Sequence, residues 1–177
     1  MKKNITIKNS IGILGGTFDP PHRGHLHISK IVLKKFKLDE LMWVVTKKNP
    51  LKNKPYLSFS TRIKLSKKIT KNQKKISVRS FEKSVKSNNT FNLLKYIKNK
   101  YKKKIFFLMG ADNLEEFHKW KNWEKIPKLA KIIIFPRLNY SLKSLKSTVT
   151  KKLSKKDLIY IKSRKINISS SLIRKFW

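Results

Sequence analysis

Short unbroken apolar runs alternate along this chain with stretches whose apolar residues recur every three to four positions. The runs are "IGILGG" (11–16), "LMWVVT" (41–46), "KIFFLMG" (104–110) and "KIIIFPR" (131–137), with an alternating stretch at "ISVRSF" (76–81) and a weaker run in "DLIYIKSRKI" (157–166). Runs of this length, apolar throughout, predict strands buried on both faces. Between them, Ile28, Ile31, Val32 and Phe36 share one face of a helix in "HLHISKIVLKKF". Phe91, Leu94 and Ile97 do the same in 89–101, and "TRIKLSKKI" predicts a third helix capped by Ser58 or Ser60. "ADNLEEFHKWKNWEKI" predicts a helix opening near Asp112, and "SSSLIRKFW" a last one with serines at its head. The prolines and polar filling of 49–58 predict a loop. The Lys/Ser stretch 141–156 is expected to be the most mobile segment.

Strands alternating with helices imply an α/β fold, a Rossmann-like doubly wound parallel sheet in three layers. Ligands in such sheets sit beyond the carboxyl ends of the strands, where the strand order reverses. Two of the runs end in glycine, at Gly15-Gly16 and Gly110. The 177 residues suit one domain spanning 1–177.

Composition adds limits. No cysteine is present, so disulfides and thiolate metal sites are excluded. No apolar run approaches the roughly 18 residues of a membrane span. The N-terminal apolar patch is short, interrupted and without a small-residue cleavage site, so it is read as a first strand and not a signal peptide. A cytoplasmic location is expected. The net charge of +36 invites a nucleic-acid reading. Yet only six of the 45 cations are arginine, whose planar fork reads base edges, and the lysines are dispersed along the chain. Compositional bias toward Lys, Asn and Ile therefore competes with a basic nucleic-acid-binding module. In either case the field attracts polyanions, nucleotides included.

The chemistry concentrates in "GGTFDPPHRGHLHIS" (15–29). There is no GxxxxGK[ST] and no GxGxxG after the first run, so a nucleotide would be held by other means. Gly15 and Gly16 let a ligand approach the backbone. Pro20 and Pro21 stiffen the turn that presents His22, and His25 follows within the first turn of the helix. Two imidazoles and free helix amides can then converge on one anion. The competing reading is a capped helix with incidental histidines, though three of the four histidines fall within six residues. Nine carboxylates, of which only Asp19 and Asp112 fall near these elements, speak against a carboxylate-built metal pair. His22 and His25 lack a nearby third ligand for zinc. Asp19 is expected to pin its own turn through backbone amides.

"GGTFDPPHRGH" resembles the GGTFDPxHxGH signature of the bacterial nicotinate-nucleotide adenylyltransferases, in the HxGH nucleotidylyltransferase superfamily. "ISSSLIR" (168–174) is similar to that family's ISSTxIR motif, with Ser171 where Thr is usual. "NPLK" (49–52), "NTFNLL" (89–94), "GADNLEEFHKW" (110–120) and "FPR" (135–137) resemble further family segments in the same order, with Asn92 where a second Thr is common. The family continues past the last motif with another helical segment, whereas this chain stops at Trp177, so the C-terminal helix is expected to be short.

The resemblance implies adenylyl transfer from ATP to nicotinate mononucleotide on a nucleotidylyltransferase fold. It assigns His22 and His25 to the α-phosphate, with Arg174 as a cationic support. Thr17 and Phe18 offer backbone amides beside Gly15, Gly16 and Gly24. Ser170 and Ser171 would hold the β- and γ-phosphates, or simply cap the last helix. Asp112, after Gly110, would contact the adenosine ribose, or cap its helix. Trp120 would stack on the pyridine ring, or belong to the core. Lys52 and Thr90 are assigned to the mononucleotide phosphate and the nicotinate carboxylate. Mg²⁺ would arrive with ATP, held mainly by its phosphates and water. Nicotinamide mononucleotide and phosphopantetheine are the alternative acceptors, although the phosphopantetheine enzymes resemble TxGH where His22 gives HxGH.

Overall fold

The computed structural model describes residues 9–49, 51, 53–136, 148–154, 156–161 and 168–177. Six strands, β1 (Ser10–Gly16), β2 (Glu40–Val45), β3 (Ile76–Arg79), β4 (Lys104–Gly110), β5 (Ala130–Phe135) and β6 (Leu158–Tyr160), form one parallel sheet in the order β3-β2-β1-β4-β5-β6. The order reverses between β1 and β4, whose carboxyl ends carry Gly15-Gly16 and Gly110. The expected doubly wound sheet is therefore present, and its switch point lies where the glycines predicted it.

Alternation along each strand builds the two outer layers. Ile105, Phe107 and Met109 join Ile11, Ile13, Met42 and Val44 on one face. That face packs under α3 (Glu82–Val85), α4 (Thr90–Tyr101), α5 (Ala111–Glu115) and α6 (Thr148–Lys152), through Val85, Leu94, Ile97, Leu114 and Val149. Phe106 and Leu108 turn the other way, toward Leu14, Leu41 and Trp43. There they meet Ile28, Ile31 and Val32 of α1 (Arg23–Lys35) and Phe59 and Ile63 of α2 (Phe59–Thr70). Each fully buried large apolar side chain contributes roughly 1.5–3 kcal/mol, so both faces are needed to hold the layers together. Ser58 caps α2, its Oγ accepting from the Thr61 amide at 3.1 Å.

The segment after β4 departs from the expected single helix. α5 ends at Glu115, and turns of 3₁₀-helix follow at Phe117–Lys119 and Trp123–Lys128. The reason is in the spacing: Leu114, Phe117, Trp120, Trp123 and Ile126 recur every three residues, the 3₁₀ period and not the 3.6 of an α-helix. Asn122, at φ 55°, breaks the run between the two turns. Within 141–156, residues 148–152 form α6; 141–147 lie outside the described residues, as do 162–166 of the sixth predicted strand. α3 and α6 span about one turn each, too short to leave a periodic signal.

Candidate active site

β1 delivers the chain to a turn that runs Thr17-Phe18-Asp19-Pro20-Pro21 and hands over to α1 at its N-cap, His22. Phe18 is buried and left-handed at φ 51°, an uncommon conformation for a bulky residue. The Asp19-Pro20 peptide is cis.

The two histidines cap the helix reciprocally. The Gly24 amide donates to His22 Nδ1 at 3.1 Å, and the His22 amide donates to His25 Nδ1 at 3.2 Å. This is a capping box with imidazoles in place of the usual Ser and Glu. Because each Nδ1 accepts, each neutral ring carries its proton on Nε2, which makes both Nε2–H groups donors. The ring centroids are 3.9 Å apart. Gly24 separates the histidines for a spatial reason. A Cβ there would sit 2.8 Å from the His22 ring and 2.9 Å from Ile168 Cγ2. Behind His25, Phe18 lies at 4.8 Å and stacks on Trp43 at 5.0 Å. The Trp43 indole N–H donates to Ser29 Oγ (2.9 Å), which donates to the His25 carbonyl (2.7 Å), so a buried chain of bonds backs the imidazole.

α7 (Ser170–Arg174) packs against this turn from the far end of the sequence. Its N-cap is Ser169, whose Oγ accepts from the Leu172 amide. The capping role read for Ser170 and Ser171 therefore falls one residue earlier, since Ser169 has the extended backbone a cap needs. Ser170 Oγ donates to the Pro20 carbonyl at 2.9 Å. Arg174 donates through Nη1 to the Asp19 carbonyl, lies 3.7 Å from the Asp19 carboxylate, reaches Ser171 Oγ at 3.3 Å and sits 5.0 Å over the Tyr56 ring.

Asp19 does something other than pin its own turn. Its carboxylate accepts from the Tyr56 and Leu57 amides, each at 2.9 Å, and so ties down the end of the 49–58 loop. A buried carboxylate needs such donors, and its own turn offers few because two prolines follow.

A cavity of about 710 Å³ opens at the switch point. Gly15, Gly16, Thr17 and Phe18 line it with His22, Gly24 and His25. From β4 and α5 come Gly110 and Asp112, and from α7 Ser170, Ser171 and Arg174. Asp112 stands in the first turn of α5 and is not its cap, which is Gly110. Thr90, first residue of α4, and Trp120 also line it. Trp120 also belongs partly to the core, edge-on to Phe117 at 5.1 Å and Phe107 at 6.2 Å. Lys52 and Arg137 lie outside the described residues. A Cβ on Gly15 or Gly16 would meet protein only at ordinary contact distance, 3.6 and 3.7 Å; what a side chain there would occupy is cavity.

Sequence reasoning missed Arg62. Its side chain is 1% exposed and donates to four carbonyls: Thr17 at 2.5 Å, Thr46 at 2.7 Å, Lys47 at 2.9 Å and Leu57 at 3.1 Å. Burial lowers its pKa, and the nearby Asp19 and Glu82 carboxylates act against that. The signal available was the choice of arginine in a chain that uses lysine for almost every other cation.

A parallel sheet in this order, with paired imidazoles and a second helix tip meeting at its switch point, defines a Rossmann-like nucleotidylyltransferase. The cytidylyltransferase-like family matches residues 13–176. The chain is 46% identical over 168 residues to the probable nicotinate-nucleotide adenylyltransferase of Pelagibacter ubique, covering 95% of this chain and 93% of that one. It is 37% identical over 146 residues to the corresponding protein of Agrobacterium fabrum, covering 81% and 78%. Among solved structures it is similar to Plasmodium falciparum nicotinic acid mononucleotide adenylyltransferase complexed with NaAD. That match has a TM-score of 0.76 and 27% identity over 96% of this chain and 84% of that one. The chain belongs to the cytidylyltransferase-like family and, by its likeness to these relatives, to the nicotinate-nucleotide adenylyltransferases within it. Among the described residues no helix is long and apolar enough to cross a membrane.

Proposed function

We propose that the chain transfers the adenylyl group of ATP to nicotinate mononucleotide, forming nicotinate adenine dinucleotide and pyrophosphate. The observation that carries this reading is the imidazole pair, 3.9 Å apart, with both Nδ1 atoms occupied by backbone amides at the edge of the cavity. The NaAD complex of the Plasmodium neighbour supports a dinucleotide product.

A phosphate oxygen of the mononucleotide attacks the α-phosphorus of ATP in line. The new P–O bond forms as the bond to the bridging α–β oxygen breaks, and pyrophosphate leaves with that electron pair. The nucleophile is already an anion, so no general base is needed, and catalysis is positioning and charge stabilisation. In this reading the Nε2–H groups of His22 and His25 donate to the α-phosphate as its charge develops. The Thr17 and Phe18 amides support the same group, and Gly15, Gly16 and Gly24 keep space for it. Ser170, Ser171 and Arg174 hold the β- and γ-phosphates at the start of α7. Asp112 takes the ribose beyond Gly110. Trp120 stacks on the pyridine ring, Thr90 meets the nicotinate carboxylate, and Lys52 meets the mononucleotide phosphate. Lys48, Lys86, Lys119 and Lys121 on the cavity wall favour an acceptor carrying two negative groups, which supports the acid over the amide.

Mg²⁺ enters as part of the MgATP substrate. Among the described residues no three His, Asp or Glu side chains gather to hold a cation, and the Asp19 carboxylate is engaged by two amides. In this reading the phosphates of ATP and water hold the cation. In this reading residues 13–176 act as one nucleotidylyltransferase domain, and the reaction runs in the cytoplasm.

The test is to incubate the full chain with MgATP and nicotinate mononucleotide, and separately with nicotinamide mononucleotide. Pyrophosphate and dinucleotide should appear in equal amounts, faster with the acid. Pyrophosphate without dinucleotide, or no release with either acceptor, contradicts the reading.

A further inference from the structure

Arg62 lies outside the cavity wall, yet its guanidinium binds segments that build it. Nη1 holds the carbonyls of Thr17, after β1, and Thr46, after β2; Nη2 holds Lys47 and Nε holds Leu57. A buried cation is costly unless its donors are matched and an opposite charge is near. Here Asp19 and Glu82 supply that charge. Asp19 grips the Tyr56 and Leu57 amides, and Glu82 Oε1 accepts from the Lys47 amide. One guanidinium and two carboxylates thus fasten the β1 turn, the β2 turn and the end of the 49–58 loop to one another.

The bond to Thr17 has a directional consequence. A trans peptide is planar, with its carbonyl and its N–H pointing opposite ways. Holding the Thr17 carbonyl toward Arg62 turns the Phe18 N–H away from Arg62. Phe18 is in the left-handed region at φ 51°, which a bulky residue keeps only when its surroundings impose it. Arg62 on one side and the stacking of Phe18 on Trp43 on the other supply that constraint.

We propose that Arg62 is a positioning residue for adenylyl transfer: by holding the Thr17 carbonyl it aims the Phe18 amide at the phosphate bound beside His25. The proposal rests on the adenylyl-transfer reading of the cavity. Lysine is no substitute, because one ammonium cannot reach four carbonyls in a plane.

The experiment compares the full chain with Arg62→Lys, measuring kcat and KM for MgATP with nicotinate mononucleotide per folded molecule, the folded fraction coming from thermal unfolding. It adds the ¹⁵N–¹H resonance of Phe18 and the ¹³C resonance of the Thr17 carbonyl in the free protein. Misdirecting one donor should lower kcat about 10- to 100-fold and leave KM for MgATP within about threefold. Both resonances should move. A merely structural role would lower the folded fraction while each folded molecule kept its kcat and the Phe18 resonance stayed in place, and that result overturns the proposal. If Arg62→Lys does not fold, Arg62→Gln, which keeps a planar amide donor, takes the same measurements with the same outcomes. Absence of turnover by the unaltered chain contradicts the adenylyl-transfer reading instead. Turnover by the unaltered chain, with kcat unchanged in the variant, sinks the Arg62 proposal alone.

Discussion

His22 and His25 fix one another: the His22 backbone amide bonds the ring of His25, and the His22 ring bonds the amide two residues on. The cap and the proposed catalytic donors are thus the same side chains, serving through different nitrogens. Replacing His22 by Asn separates the two roles, because Asn is a good N-cap and lacks Nε2–H. The variant should unfold within about 1 kcal/mol of the unaltered chain. Its kcat should fall roughly 10²- to 10³-fold. Thermal unfolding and steady-state kinetics on the same preparation read both; unchanged stability with unchanged kcat would mean that the ring only caps.

Gly24 should tolerate no side chain. Gly24→Ala pushes a methyl group against the His22 ring and Ile168. The expected cost is about 1–3 kcal/mol of stability from overpacking, with a loss of turnover as His22 shifts. Denaturant unfolding would contradict this by giving an unchanged midpoint.

Ser29 links the indole of Trp43 to the backbone of His25. Ser29→Ala leaves a buried N–H without that acceptor, at about 1–3 kcal/mol. Trp43 reports the change through its own emission. Unaltered emission together with unaltered stability would show that the link is dispensable.

Asp19→Asn should free one end of the 49–58 loop. A carboxylate accepts from both the Tyr56 and Leu57 amides, whereas an amide side chain has one oxygen and adds donors facing Arg174. Hydrogen exchange at Tyr56 and Leu57 should quicken by at least tenfold. Protection equal to that of the unaltered chain would mean that other contacts hold the loop.

Much of the sheet was legible, because Ile105 to Met109 and Ile132 to Phe135 are apolar on both faces and only a covered parallel sheet has a use for that. The histidine turn was legible too, since its residues are contiguous. What stayed hidden depends on distance in sequence. Nothing local in "TRIKL" says that Arg62 reaches four carbonyls, three of them in other turns of the sheet edge. Asp19 was read as serving its own turn because its true partners, Tyr56 and Leu57, lie beyond the next strand. The helix expected through Trp120 failed on period: tryptophans every third residue satisfy a 3₁₀ path, and a window tuned to 3.6 absorbs them as noise.

The proposed role of the His25 imidazole is to stabilise the charge that develops on the α-phosphate. It is tested most directly by the single-turnover transfer of label from α-³²P-ATP into dinucleotide, in the unaltered chain and in His25→Ala, with folding checked by circular dichroism. Labelled dinucleotide is expected from the unaltered chain, and a rate about 10²- to 10³-fold lower in the variant. Equal rates, with both proteins folded, would contradict it.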